Sequence, residues 1–112
     1  MKMQDGFQYN DLTNSLITNK NITIVASKWN DEIVSKMINE SLKHLDDLNV
    51  SNVEVLRVPG AWEIPFGCLK AIERGADGII AFGAIIKGET PHFDIISNTS
   101  SQALIDITLK NM

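Results

Sequence analysis

A short polar loop in the second half of the chain carries the residue types needed for proton transfer and anion binding. It follows the apolar run 78–86 and contains Lys87, Glu89, Thr90 and His92. Histidine is the side chain that changes its charge most readily near neutral pH, so His92 suits general acid–base chemistry. The amides around Glu89 and Thr90, the Thr90 hydroxyl and the charge of Lys87 suit a small anion. We therefore predict an anion site beside a proton-transfer residue.

The same loop contains a possible set of metal ligands, Glu89, His92 and Asp94. No second histidine or cysteine accompanies them at a spacing typical of metal sites, so we expect no metal here. The other histidine in the sequence, His44, follows Lys43 on a segment with helical periodicity. We expect it to be a solvated surface residue.

Two further turns carry residues suited to binding a planar, hydroxylated ligand. In the turn 27–30, the flat indole of Trp29 suits stacking on a heterocycle, and packing over a hydrophobic seam is an equal alternative. In the turn 58–65, two prolines and a glycine restrict the backbone, and Ala61 leaves room for a ligand. Glu63 can accept hydrogen bonds from ligand hydroxyls, or it can simply be a favourable charge in the first turn of a helix.

Each of these loops follows an apolar, β-branched segment that is typical of a buried strand. The predicted strands are 21–27, 53–58 and 78–86. The predicted helices are 31–48, 63–74 and a third that begins at Asp94 or Ser97 and carries apolar residues to Leu109. Alternating strands and helices with short connections predict an α/β fold with a parallel sheet, in which all three loops lie at one edge. Because the third strand is apolar throughout, we expect both of its faces to be covered.

Local signals refine the two predicted helices between the strands. Asn30 is expected to cap the N-terminus of the first helix, and Gly75 is expected to follow the end of the second. The second helix is expected to bury an apolar side made of Phe66, Cys68, Leu69 and Ile72.

Bulk composition indicates one ordinary globular domain, with 44% hydrophobic and 21% charged residues among 112. A net charge of −4 argues against sequence-independent binding of nucleic acid. The lone Cys68 cannot form an internal disulfide, which favours a reducing compartment, and we expect a cytoplasmic protein without membrane segments. Residues 1–20 are polar and rich in asparagine, so we expect an N-terminal arm followed by one α/β domain at 21–112.

The three loops together resemble motifs of the 6,7-dimethyl-8-ribityllumazine synthase family. The similar stretches are Lys28-Trp29-Asn30, the segment 58–65 (Val-Pro-Gly-Ala-Trp-Glu-Ile-Pro) and the segment 83–94 (Gly-Ala-Ile-Ile-Lys-Gly-Glu-Thr-Pro-His-Phe-Asp). These motifs are long, and the resemblance spans roughly residues 21 to 109. It implies a flavodoxin-like parallel sheet with flanking helices.

The resemblance also implies a reaction and an assembly. The family is a transferase of riboflavin biosynthesis that condenses 5-amino-6-(D-ribitylamino)uracil with 3,4-dihydroxy-2-butanone 4-phosphate and releases phosphate and water. The steps need positioning and proton transfer, and no cofactor is expected. Family members form homo-oligomers, either pentamers or sixty-subunit shells, with active sites between neighbouring subunits.

Carried over by position, the resemblance implies that Trp29 stacks on the pyrimidine ring and that His92 transfers protons. It implies that the phosphate is held by the Glu89 amide and by Thr90. Contacts to the uracil and ribityl groups are implied for Ala61, Trp62, Glu63, Ala84, Ile85 and Ile86. Lys28 stands where the family has arginine, and lysine keeps the charge without the bidentate fork.

Family members continue beyond the region of resemblance with a fourth strand and further helices. That region supplies an aromatic residue over the pyrimidine of the neighbouring subunit and a basic residue for the phosphate. We therefore expect this chain to be C-terminally incomplete relative to the family, with a sheet edge open to another chain. A truncated, non-catalytic subunit or ligand-binding module is the alternative to the enzyme.

Overall fold

The computed structural model describes residues 17–87 and 92–111. Strands and helices alternate along these residues. The elements are β1 (Ile22–Ser27), α1 (Asp31–Asp47), β2 (Val53–Val58), α2 (Ile64–Glu73), β3 (Gly78–Phe82) and α3 (His92–Lys110), with a 3-10 turn at Ala61–Glu63 before α2. Within these residues the sheet is parallel, three-stranded and ordered β2-β1-β3. The predicted α/β class with a parallel sheet and flanking helices is confirmed.

The central strand β1 separates two apolar layers. Its residues alternate between the faces, as the twofold period of a strand requires. Ile24 and Ala26 pack with Val34, Ile38, Leu45 and Val50 on the α1 side. Val25 packs with Val58, Ile64, Cys68 and Ala71 on the α2 side. β1 is packed on both faces, so it is a rigid central strand. The loops at the carboxyl ends of the strands are built on it.

Helix α1 follows its predicted bounds to within one residue. Val34, Ile38 and Leu45 recur at helical spacing and form its buried stripe, while His44 is exposed as predicted. Asp31 and Glu32 lie in the first turn, where negative charge is favourable.

The predicted buried side of helix α2 is confirmed at Cys68, half-buried at Ile72 and wrong at Phe66 and Leu69. Phe66 and Leu69 are exposed, and the buried residues are Ile64, Gly67, Cys68 and Ala71. A Cβ atom at Gly67 would lie 2.7 Å from Cγ1 of Val25, so the helix approaches β1 more closely than a larger residue would allow. Close packing along the small residues turns the larger side chains outward. Gly75, at φ +91°, follows the helix end as predicted.

Strand β3 is shorter than predicted and only partly buried. It ends at Phe82 instead of reaching residue 86, and Ala81 is exposed. The pairing with β1 stops at Ala26 and Phe82, one residue before β1 ends at Ser27. The expectation of a strand covered on both faces is met in part: Ile80 and Phe82 pack on the α1-side core and Ile79 packs on the α2-side core. The apolar residues Ala84, Ile85 and Ile86 follow the end of β3 and lie at the edge of the sheet where the strands end.

Helix α3 begins at His92, which is earlier than either predicted start. Ser97 does not cap the helix: its hydroxyl donates to the carbonyl of Phe93 from within the helix, at 2.7 Å. This places His92 in the first turn of the helix. None of the described helices is both long and apolar enough to span a membrane.

Candidate functional site

The three strand-end segments and the start of α3 enclose one cleft of about 560 Å³. Its lining is mostly apolar side chains with a few polar groups, as is typical of small-molecule sites. The lining residues are Trp29, Asn30, Gly60, Ala61, Trp62, Glu63, Ala84, Ile85, Ile86, His92 and Ile96. The position agrees with the rule that open parallel sheets bind ligands at the carboxyl ends of their strands.

Trp29 forms one wall of the cleft. Its backbone N–H donates to the carbonyl of Pro59 at 3.1 Å, so the turn after β1 is fastened to the turn after β2. Its side chain is 71% exposed and lies against Gly60. Of the two alternatives open from the sequence, this exposure favours stacking on a ligand over packing on a hydrophobic seam. The indole presents a free aromatic surface to the cleft.

Arg57 stabilises the same turn from β2. Its Nη2 donates to the carbonyl of Ser27 at 2.8 Å and to Oδ1 of Asp31 at 2.6 Å. These hydrogen bonds connect the end of β1 with the first residue of α1. The bond from Arg57, followed by one from the Ser35 hydroxyl, lowers the pKa of the Asp31 carboxyl below its ordinary value. Asp31 therefore keeps its charge, and the turn keeps this ion pair, well below neutral pH.

Asn30 does not act as the side-chain cap that the sequence suggested. It occupies the N-cap position of α1 in the left-handed region, at φ 59° and ψ 44°, with no side-chain hydrogen bond to the helix. Its Nδ2 donates instead to the carbonyl of Ala84 at 2.8 Å. Since asparagine tolerates left-handed backbone, the same residue makes the turn and reaches across to the segment after β3.

Glu63 lines the cleft and carries one oxygen, Oε2, that is buried without a hydrogen-bond partner among the described residues. A Cβ atom on Gly60 would lie 3.4 Å from this oxygen, which places the carboxylate beside the Gly60 backbone and the indole of Trp29. A buried acceptor without a partner costs free energy until a donor reaches it. Because Glu63 lines the cleft, a turn of its side chain would bring this acceptor to a ligand donor and remove that cost.

Helix α3 closes the remaining side of the cleft. The hydroxyl of Ser100 donates to the carbonyl of Ala61 at 3.2 Å, which fastens the helix to the 3-10 turn. His92, in the first turn, and Ile96 one turn later both line the cleft, and His92 is exposed. An accessible imidazole beside the aromatic and carboxylate groups can exchange protons with a bound molecule.

The structure brings together all the predicted site residues that it describes. Glu89 and Thr90 lie outside the described residues, as does part of the possible metal set. Lys87 is exposed and does not line the cleft. Sequence reasoning missed three lining residues, namely Asn30, Gly60 and Ile96. For Asn30 and Gly60 the signal was their place beside Trp29 and Ala61.

Comparison with known proteins gives one consistent family. The family model described as 6,7-dimethyl-8-ribityllumazine synthase matches residues 19–112. The chain belongs to this family. The relatives include three proteins that carry the name 6,7-dimethyl-8-ribityllumazine synthase. The protein from Streptomyces coelicolor is 33% identical over 89 residues, which cover 80% of this chain and 55% of the relative. Those from Desulfovibrio desulfuricans (38% identical over 93 residues, 80% of this chain and 60% of the relative) and Leuconostoc mesenteroides (40% identical over 95 residues, 82% of this chain and 61% of the relative) are similar.

The lumazine synthase relatives are longer than the present chain. The chain spans between 55% and 61% of the length of these three proteins. The matched part contains every residue that lines the cleft.

Proposed function

We propose that the cleft binds 5-amino-6-(D-ribitylamino)uracil and condenses it with 3,4-dihydroxy-2-butanone 4-phosphate to give 6,7-dimethyl-8-ribityllumazine in riboflavin biosynthesis. The observation that carries this proposal is the assembly of Trp29, Glu63 and His92 around one cleft, in a chain of the lumazine synthase family. An aromatic surface, a free carboxylate oxygen and an accessible imidazole are what a ring, a polyhydroxyl chain and a proton transfer require.

The ring side of the cleft supports recognition of a ribitylated pyrimidine. The pyrimidine stacks on Trp29, whose indole is largely exposed. Ribityl hydroxyls donate to the carboxylate of Glu63, which lines the cleft. Ala61 and Trp62 flank that side, and the backbone of Ala84, Ile85 and Ile86 offers hydrogen bonds to the uracil. Glu63 is one of the few polar residues that line the cleft. It therefore favours a pyrimidine that carries a hydroxylated chain.

The chemical side of the proposal rests on His92. The amine of the pyrimidine attacks the ketone and loses water to form an imine, and phosphate is then eliminated to leave an enol that becomes a ketone. The second nitrogen attacks this ketone and loses a second water as the ring closes. Each step moves protons, and His92 accepts and returns them from the first turn of α3. We assign the phosphate to the amide of Glu89 and the hydroxyl of Thr90, as predicted from the sequence.

We further propose that the chain acts in the cytoplasm as a homo-oligomer, a pentamer or a larger shell. Trp62, Phe66 and Leu69 support this part of the proposal, because these large apolar side chains are exposed at the mouth of the cleft and on α2. A neighbouring subunit would cover them. The acidic net charge of −4 gives no support for a nucleic-acid partner.

The test is direct. The protein is incubated with both substrates, and the lumazine product is followed by its absorbance. We expect His92→Ala to slow turnover by about 100-fold, the contribution of a general acid–base residue. His44→Ala is the matched control, because it removes the exposed histidine of α1 and should leave the rate unchanged.

A second candidate function is a non-catalytic subunit that binds the ring substrate. The mostly apolar cleft with its exposed Trp29 supports it, since such a surface suits ring binding whether or not a reaction follows. Substrate binding without product formation by a folded protein would support this candidate and contradict the enzyme. An unchanged rate in His92→Ala would remove the histidine from the mechanism.

A further inference from the structure

Asn30 joins two walls of the cleft that are far apart in the sequence. Its Nδ2 donates to the carbonyl of Ala84 at 2.8 Å, across a separation of 54 residues and in a partly buried position. A carbonyl can only accept, so the side-chain amide must present its nitrogen there. Among residues 17–87 and 92–111, this is the only hydrogen bond between the turn 28–30 and the segment 84–87.

The backbone at Asn30 leaves the side chain free for this contact. Its carbonyl accepts the N–H groups of Ile33 and Val34, at 3.0 and 3.1 Å, and so begins α1. Its own left-handed conformation, φ 59°, turns the chain without help from the side chain. The side chain is therefore not needed to form the helix. Instead, the Asn30 side chain donates its hydrogen bond to the carbonyl of Ala84.

Both ends of the hydrogen bond are next to residues of the proposed ring site. Trp29 precedes Asn30, and Ile85 and Ile86 follow Ala84 in a segment without regular secondary structure. The segment 84–87 has no neighbouring strand to hold it, because β3 ends at Phe82. Ala84 packs against the α1-side core, and the hydrogen bond from Asn30 adds a direct connection between the aromatic wall and the apolar wall.

We propose that Asn30 is a positioning residue that fixes the width of the ring slot between Trp29 and the segment 84–86. The inference rests on the proposed function, since it takes the ring of 5-amino-6-(D-ribitylamino)uracil as the occupant. Asn30 acts through Ala84 and leaves the second lone pair of that carbonyl available to a ligand N–H. With the walls already set, less ordering remains to be done when the ring binds.

Two variants test the role of the amide without disturbing the turn. Asn30→Gly keeps the left-handed conformation and deletes the side chain. Asn30→Asp keeps size and shape but places an acceptor against the carbonyl of Ala84. Asn49→Gly is the matched control: Asn49 has φ 61° just beyond the other end of α1 and is not part of the cleft.

The readouts are the dissociation constant for 5-amino-6-(D-ribitylamino)uracil, the free energy of unfolding, and ¹⁵N order parameters of residues 84–87 without ligand. We expect Asn30→Gly to bind about 3- to 10-fold more weakly and Asn30→Asp at least as weakly, as for a lost hydrogen bond. Order parameters at 84–87 should fall in both. Asn49→Gly should match the wild type in binding and order parameters.

The outcomes separate this inference from the proposed function. Wild-type affinity or unchanged order parameters in the Asn30 variants would overturn the positioning role. Affinity loss that only follows a loss of folded protein would also overturn it. If the wild-type protein fails to bind the pyrimidine, the proposed function falls, and the order parameters still decide whether Asn30 holds the segment.

Discussion

The indole of Trp29 lies so close to the backbone of Gly60 that a Cβ atom there would be 3.1 Å from its Cδ1. Gly60 has extended backbone, φ −145°, which any residue can adopt. Glycine is therefore needed at this position for space, not for conformation. The two turns after β1 and β2 meet at this contact, and it sets the position of the aromatic wall.

Gly60→Ala should move Trp29 and weaken ring binding without unfolding the protein. Because the indole is exposed, it can give way, so the free energy of unfolding should change by less than about 0.5 kcal/mol. Affinity for the pyrimidine should fall by up to about tenfold, the value of a lost stacking contact. Titration calorimetry measures the affinity, and scanning calorimetry measures the stability, of Gly60→Ala and of its control. Gly78→Ala is the control, because its Cβ would also lie 3.1 Å from a side chain, Cδ1 of Ile22, at the other end of the sheet. Equal affinity in the two variants would contradict the steric role of Gly60.

Glu63→Gln should separate stability from binding. The wild-type carboxylate has no hydrogen-bond partner for Oε2 among the described residues, so Glu63→Gln should change the free energy of unfolding by less than about 0.5 kcal/mol. Loss of a charged acceptor should weaken binding of the ribityl chain several-fold. Glu73→Gln, on the exposed side of α2 in an ion pair with Lys70, is the matched control. A destabilised Glu63→Gln with unchanged affinity would show that this carboxylate serves the fold instead.

Acid should weaken the turn that carries Trp29 through Asp31. Its folded-state pKa is lowered by the hydrogen bonds from Arg57 and Ser35, so the contribution to stability is present above the ordinary pKa of 3.8 and is lost as pH falls below it. Chemical denaturation of wild type and Asp31→Asn over this range measures the effect. The wild type should be more stable at neutral pH, and the two curves should converge in acid. Parallel curves would mean that the ion pair does not contribute.

Cys68 should be unreactive in the folded protein. It is 4% exposed between α2 and the sheet, and burial raises the pKa of its thiol. The thiolate is the reactive form, so labelling by a disulfide reagent at about pH 8 should be at least tenfold slower than in denaturant. Rapid labelling of the native protein would indicate that α2 opens readily from β1.

The sequence predicted the elements better than it predicted their faces. The strands and helices could be read from local signals, because β-branched runs and helical spacing act over a few residues. The buried side of α2 could not, because Gly67 is pressed against Val25, a partner distant in sequence. The end of β3 is likewise set by its pairing with β1, which stops at Ala26 and Phe82. Such features are set by tertiary contacts that a local pattern does not contain.

The candidate site shows the same division. Trp29, Glu63 and His92 were predicted from residue type and position in strand-end loops. The role of Asn30 was misread, because its position at a helix start favours a cap, while its partner Ala84 lies 54 residues away. The free oxygen of Glu63 was also beyond prediction, since an unpaired group is visible only when the surrounding atoms are known.

The central claim is that three strand-end segments form one cleft for a ribitylated pyrimidine, with Trp29 as its stacking surface. The measurement that tests it most directly is calorimetric titration of the wild type and Trp29→Ala with 5-amino-6-(D-ribitylamino)uracil. Since Trp29 is 71% exposed, the variant should keep its stability, while its affinity should fall by about tenfold. The folded wild type should bind the pyrimidine. Equal affinities, or a folded wild type that does not bind, would contradict the claim.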